Sequence, residues 1–147
     1  MINNIEEVLK TEDIAISGFE GTSMLPMLRQ GKDRVVIAKC GGKLKLHDVP
    51  LYKSSDNKYV LHRIIKVKPD GYLIRGDHLY NNEYNVTDND IIGVLKAFYR
   101  GDKLIDCTNK GYRLYIWYIR LSYPLRYLWS EFVKPKLWSL KQKIRGK

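Results

Sequence analysis

A serine, a histidine and an aspartate stand out for what surrounds them. Ser23 sits in Gly21-Thr22-Ser23-Met24-Leu25-Pro26-Met27-Leu28, a hydroxyl between small residues and an apolar run broken by a proline. A serine hydroxyl becomes a useful nucleophile only when a base takes its proton, so the role requires a partner elsewhere in the chain. His62, in Tyr59-Val60-Leu61-His62-Arg63-Ile64-Ile65, is the candidate base. Its ordinary pKa of about 6.5 lets it accept the serine proton at neutral pH and return it to a leaving amine. Asp77, in Arg75-Gly76-Asp77-His78, is a carboxylate that could fix the tautomer of that histidine and stabilise the imidazolium. The chemistry of such a set is acyl transfer, with no metal and no cofactor.

Each residue also has an ordinary explanation. Serine favours turns and helix caps, a histidine in a strand is commonly a satisfied structural residue, and Gly76-Asp77 reads as a turn. His47 and His78 are the competing bases. His78 adjoins Asp77, and neighbours on a strand point to opposite faces, which sets it apart from the site. Lys66 shares a predicted strand face with His62. Met24 and Met27 are most simply core residues.

The elements that must position these groups are short. Apolar Ile2, Ile5, Val8 and Leu9 at helical spacing predict an N-terminal helix over residues 2–10. Ala15 to Phe19 predicts a strand leading into the serine loop, and Met24 to Leu28 a turn of helix behind Ser23 with Pro26 in its first turn. Arg34–Ala38 predicts a strand, Asp48–Tyr52 an edge strand, and Tyr59–Val67 one long strand with Val60, His62, Ile64 and Lys66 on one face. Pro69-Asp70-Gly71 turns the chain into a returning strand at Tyr72–Arg75. Residues 81–90 read as a polar loop, and Ile91–Tyr99 and Leu104–Cys107 as two further strands. Residues 1–109 are therefore expected to form a mainly β, antiparallel domain.

Beyond Asn109 the pattern turns helical, with Ser122 and Pro124 as a cap and first-turn proline. Leu125, Leu128, Trp129, Phe132 and Val133 follow at three-and-four spacing, extended by Leu137, Leu140 and Ile144. Charge divides at the same place. Residues 1–109 hold 16 Lys and Arg against 15 Asp and Glu, a net +1, whereas residues 110–147 hold 10 against the single Glu131, a net +9. The excess thus belongs to a basic, aromatic helical tail with its own partner. Three readings of the tail stand: a membrane-surface element with Trp117, Trp129 and Trp138 at the headgroup boundary, a nucleic-acid arm, or a helix packed on the sheet with a solvated basic face. Interleaved Trp, Tyr, Leu and Arg favour an anionic membrane surface and disfavour nucleic acid. No apolar stretch of seven or more opens the chain, and no 18-residue uncharged apolar run occurs, so the reading includes neither a signal peptide nor a bilayer span. Cys40 and Cys107 match no zinc or redox spacing and are expected as buried thiols, which favours a reducing compartment.

Three short stretches in order, G-T-S-M-L-P at Ser23, L-H-R-I-I at His62, and R-G-D-H-L-Y-N-N-E-Y-N followed by I-I-G at 91–93, carry a resemblance. Over residues 17–97 the chain resembles the signal-peptidase-like serine proteases, the clan of leader peptidases and self-cleaving SOS repressors. A histidine at position 62, where leader peptidases use a lysine, makes it similar to the endoplasmic-reticulum type of signal peptidase. The resemblance implies Ser23 as nucleophile, His62 as general base and then acid, and Asp77 as orienting carboxylate. Members of this branch often carry another acid six residues after that aspartate; here it is Glu83, a longer side chain whose role is left open. The oxyanion is expected to meet the Ser23 amide. The serine that commonly assists two residues before the nucleophile is replaced by Gly21, so Thr22 or a further amide must substitute, and Met24 would form part of the substrate pocket.

Together these features lead to an expected serine endopeptidase cutting a peptide or leader segment of a protein precursor. It would be cytoplasmic and peripheral on the inner membrane face. The alternative is a catalytically silent peptide-, lipid- or nucleic-acid-binding module on the same fold.

Overall fold

The computed structural model describes residues 5–133 and 135–136. The chain is mainly β, with antiparallel sheets, a short helix near the N-terminus and a longer one toward the other end. In order the elements are α1 (Ile5–Thr11), β1 (Ile14–Ser17), β2 (Asp33–Ala38), β3 (Pro50–Lys53), β4 (Tyr59–Leu61), β5 (Arg63–Lys68), β6 (Gly71–Arg75), β7 (Glu83–Val86), a 3-10 turn at Asp88–Asp90, β8 (Ile91–Arg100), β9 (Lys103–Asp106) and α2 (Lys110–Leu128). A π-helical turn, Trp129–Val133, continues α2. The chain divides into two compact units, Met1–Arg113 and Leu114–Lys147, so the boundary falls inside α2.

The larger sheet runs β1-β2-β8-β3-β4, with β9 also on β8. β8 is its spine: β2 pairs along one side from Val94 to Arg100, and the other side is divided between β3 and β9. Alternate residues of β2, Asp33, Val35 and Ile37, are buried, as the two-residue period of a strand requires. The stretch expected as an edge strand is instead interior, because β3 pairs with β8 on one side and β4 on the other. Pro50 is tolerated there as the first residue of the strand, where its missing N–H costs least.

The long strand expected over Tyr59–Val67 is two strands in two sheets. β4 pairs with β3, whereas β5 joins the second sheet, β5-β6-β7, and His62 is the residue at which the chain passes from one to the other. A register shift between Ile64 and Lys66 breaks the alternation further, burying Ile64 and leaving Lys66 exposed. The polar stretch expected as a loop contains β7, which pairs with β6 through Glu83 and Val86. Tyr84 and Asn85 of β7 are exposed and Val86 is its only buried residue, so it lacks the apolar alternation that marks a strand in sequence. Between the sheets Tyr52, Ile64, Tyr72, Ile74, Val86 and Val94 pack into one cluster. The buried Tyr72 hydroxyl is satisfied, donating to Asp88 and accepting from the Leu44 amide at 3.0 Å.

Helix α2 starts at Lys110, earlier than the Ser122-Pro124 signal suggested. Asn109 is its cap, with Oδ1 accepting from the Tyr112 amide at 2.7 Å. Pro124 lies inside the helix, where its ring removes the bond to the Arg120 carbonyl, and the Ser122 hydroxyl donates to the Ile119 carbonyl at 3.4 Å. The expected apolar positions Leu137, Leu140 and Ile144, and Trp138, lie outside the described residues. No helix among the described residues is long and apolar enough to cross a membrane. Cys40 and Cys107 are free and only partly buried.

Candidate active site

Ser23 lies on the loop joining β1 to β2, in successive turns closed by Leu25 N–H donating to the Thr22 carbonyl at 3.1 Å and Leu28 N–H to the Met24 carbonyl at 3.0 Å. The turn of helix expected over Met24 to Leu28 is not formed: the segment is a pair of turns, and the Leu25–Pro26 peptide within it is cis. Arginines and one buried carboxylate hold the loop. Arg29 pairs with Asp33 at 2.8 Å, and Arg100 donates to the Met27 carbonyl at 2.7 Å. Ser23 itself is tied by its carbonyl, which accepts from the His78 amide at 2.8 Å.

Gly76, at the end of β6, shows how closely serine and histidine approach. A methyl group placed on it would lie 2.7 Å from the Ser23 carbonyl oxygen, 3.0 Å from Ser23 Cβ and 3.1 Å from His62 Nε2. Both side chains therefore approach one point, with Ser23 Cβ and His62 Nε2 no more than about 6 Å apart. They are not hydrogen-bonded to one another here. Catalytic hydrogen bonds are often long before substrate binds.

The other ring nitrogen of His62 is occupied. Nδ1 lies 2.7 Å from Glu83 Oε1 and 3.3 Å from the Tyr52 hydroxyl, which itself donates to Glu83 Oε2. With Nδ1–H donating to the carboxylate, Nε2 is left as the acceptor on the serine side. His62 is 5% exposed, and burial pushes its pKa below the ordinary value although the Glu83 and Asp77 charges act in the opposite direction. Burial thus favours the neutral imidazole. Burial and the Glu83 carboxylate push the Tyr52 phenol far up, so it remains a neutral donor.

Glu83 thus occupies the place that the sequence assigned to Asp77. Asp77 is buried, and its carboxylate takes two parallel bonds from Arg63, Nε to Oδ1 at 2.8 Å and Nη2 to Oδ2 at 2.7 Å. The physical reason is the burial of Arg63. A guanidinium has five N–H donors, and here they reach Asp77 twice, the His47 carbonyl at 3.0 Å, the Tyr112 hydroxyl at 2.9 Å and Met27 Sδ at 3.1 Å. A cation held away from water takes the nearest carboxylate as its counter-ion. Asp77 acts on His62 only as a nearby charge.

Ser23, His62 and Glu83 share a cleft of about 460 Å³. Its apolar walls include Phe19, Met24, Leu51, Leu61 and Leu79, and the edge strand β4 contributes Tyr59, Val60 and Leu61. Of the residues expected beside the nucleophile, Gly21 and Met24 line the cleft and Thr22 does not. The Gly21 amide donates to Gln30 Oε1 at 3.0 Å, so it is already engaged. The Ser23 amide donates to no acceptor among the described residues. His78 is exposed and His47 is partly buried; neither lines the cleft. Tyr52, Gly76 and Arg63 were not singled out by sequence. The signals were faint, an aromatic at an inward strand position and a glycine beside the wrong carboxylate. Among the described residues no cluster of His, Cys, Asp and Glu is arranged to hold a metal ion.

Comparison of the chain with family models, with curated proteins and with solved structures finds no match.

Proposed function

We propose that the protein is a serine endopeptidase of the signal-peptidase-like kind, in which Ser23 attacks the scissile carbonyl, His62 Nε2 takes its proton and Glu83 orients the ring. The observation that carries the reading is the convergence of Ser23 and His62 Nε2 at Gly76 while Glu83 holds Nδ1. In the first half-reaction the Ser23 oxygen bonds to the carbonyl carbon, and the proton passes through His62 to the departing amine. Water then releases the acyl group from Ser23 by the same route in reverse. The Ser23 amide meets the oxyanion, a contact whose loss typically costs about 10²–10³-fold in rate. A carboxylate on Nδ1 keeps the tautomer correct and stabilises the imidazolium formed on the way.

The cleft suits an extended peptide. β4 ends its sheet, so its outer backbone groups can pair with a substrate strand, while apolar walls receive alternate side chains. The substrate class is accordingly a peptide or leader segment of a precursor protein, in our reading a cytoplasmic one. The test is digestion of a mixed-sequence peptide library, with new termini read by mass spectrometry. Wild-type protein should cleave at a restricted set of sites, and Ser23→Ala and His62→Ala should each abolish cleavage. Full cleavage by either variant would overturn the assignment. Binding of peptides without cleavage by any form would favour a silent peptide-binding module.

A further inference from the structure

We propose that one face of the C-terminal unit is an anionic-membrane docking surface, independent of the peptidase reading. Along α2 and the turn after it, Leu114, Trp117, Leu121, Leu125, Leu128 and Trp129 recur at spacings of three and four. At 100° per residue they fall within a stripe about 120° wide. All six are exposed, from 50% for Leu128 to 72% for Leu125. The residues on the opposite side of the helix, Ile116, Ile119 and Tyr123, are partly or fully buried.

Charge selects the occupant. Arg120 and Arg126 flank the stripe without interrupting it, and residues 110–147 carry a net +9 with the single acid Glu131. A second copy bringing the same +9 against the stripe would be repelled, whereas anionic headgroups supply the opposite charge. A nucleic acid would pair with the arginines but leave the leucines in water. An apolar stripe with tryptophans, bordered by arginine, is the pattern of a helix lying in the plane of a membrane interface, its apolar side chains among the upper acyl chains and its basic ones at the phosphates.

The experiment is co-sedimentation of the full chain with vesicles of phosphatidylcholine alone and of equal parts phosphatidylcholine and phosphatidylglycerol. The expected result is binding to the mixed vesicles that weakens as salt is raised, and much less binding to phosphatidylcholine. A Leu121→Glu, Leu125→Glu double variant should lose on the order of 100-fold in binding, since each leucine is withdrawn from the apolar layer. Both positions are exposed already, so an unchanged melting curve will show that the variant is folded. Ser23→Ala should bind like wild type, which separates this proposal from the peptidase reading. Wild-type protein that fails to bind the mixed vesicles, or a double variant that binds as well as wild type, would overturn it. So would a dimer in analytical ultracentrifugation that the double variant abolishes and that does not bind vesicles, assigning the stripe to a second copy.

Discussion

Two carboxylates follow β6, and their surroundings give them different work. Glu83 meets His62 Nδ1 and the Tyr52 hydroxyl, whereas Asp77 is the counter-ion of the buried Arg63. Glu83→Gln should therefore lower peptide turnover on the order of 10²–10⁴-fold with the melting temperature little changed, because the amide cannot hold the same tautomer and charge. Asp77→Asn should instead destabilise the fold by about 3–5 kcal/mol, since it leaves a buried guanidinium uncompensated. Steady-state rates and thermal melts on both variants check the pair of outcomes, and a reversal of the two would return the orienting role to Asp77. The pH profile follows from the same contacts. Burial holds the His62 pKa down, so the rate should rise with pH along a limb centred below the ordinary histidine value of about 6.5. Removing the Glu83 charge, which acts to raise that pKa, should move the limb to lower pH.

At the scale of elements, the site exists because the chain changes sheets at one residue. β4 belongs to the larger sheet and β5 to the smaller, and His62 between them looks out toward the serine loop where the turn after β6 comes closest. Gly76→Ala should cost on the order of 10²-fold in rate, as its methyl would lie too close to the Ser23 carbonyl and would push His62 Nε2 by a few tenths of an ångström. A variant with wild-type turnover would show that the approach at Gly76 is looser than the structure has it.

Much of this layout was legible from residue patterns. Most of the short strands announce themselves through β-branched runs and turn residues, though not β7, whose polar residues read as a loop, and Ser23 and His62 stand out through their settings. The break at His62 was not legible, because Y-V-L-H-R-I-I-K-V alternates no differently when split between two sheets. Nor was the ranking of Asp77 and Glu83. It depends on Arg63 being buried, and a strand arginine in sequence reads as solvent-facing.

For the molecule as a whole, acid should be destabilising in two windows. His62 is buried with its pKa lowered, so its contribution is present above the unfolded value of about 6.5 and is lost as pH falls through the folded value. Asp33 follows the same sign further down. Burial opposes its charge, but the Arg29 hydrogen bonds and the Arg100 and Arg29 charges outweigh this and hold its pKa below the usual carboxylate range. Its stabilisation is present above about pH 4 and is lost as the pH falls further. Melting temperature should therefore decline as pH falls below about 6.5, and again as it falls below about 4. His62→Gln should flatten the first decline, and an unchanged slope in that variant would contradict the assignment of a buried neutral imidazole. The uneven charge of the chain separates the two activities proposed for it, a nearly neutral region from residue 1 to 109 that carries the cleft and a strongly basic remainder.

The central claim is that His62 activates Ser23, and the most direct measurement is intact-mass analysis after treatment with a fluorophosphonate at pH 7.5. Wild-type protein should gain one adduct, mapped to Ser23 by peptide sequencing, and His62→Ala should label at least about 10²-fold more slowly. A wild-type protein that takes up no adduct, or a His62→Ala variant that labels at the wild-type rate, would contradict it.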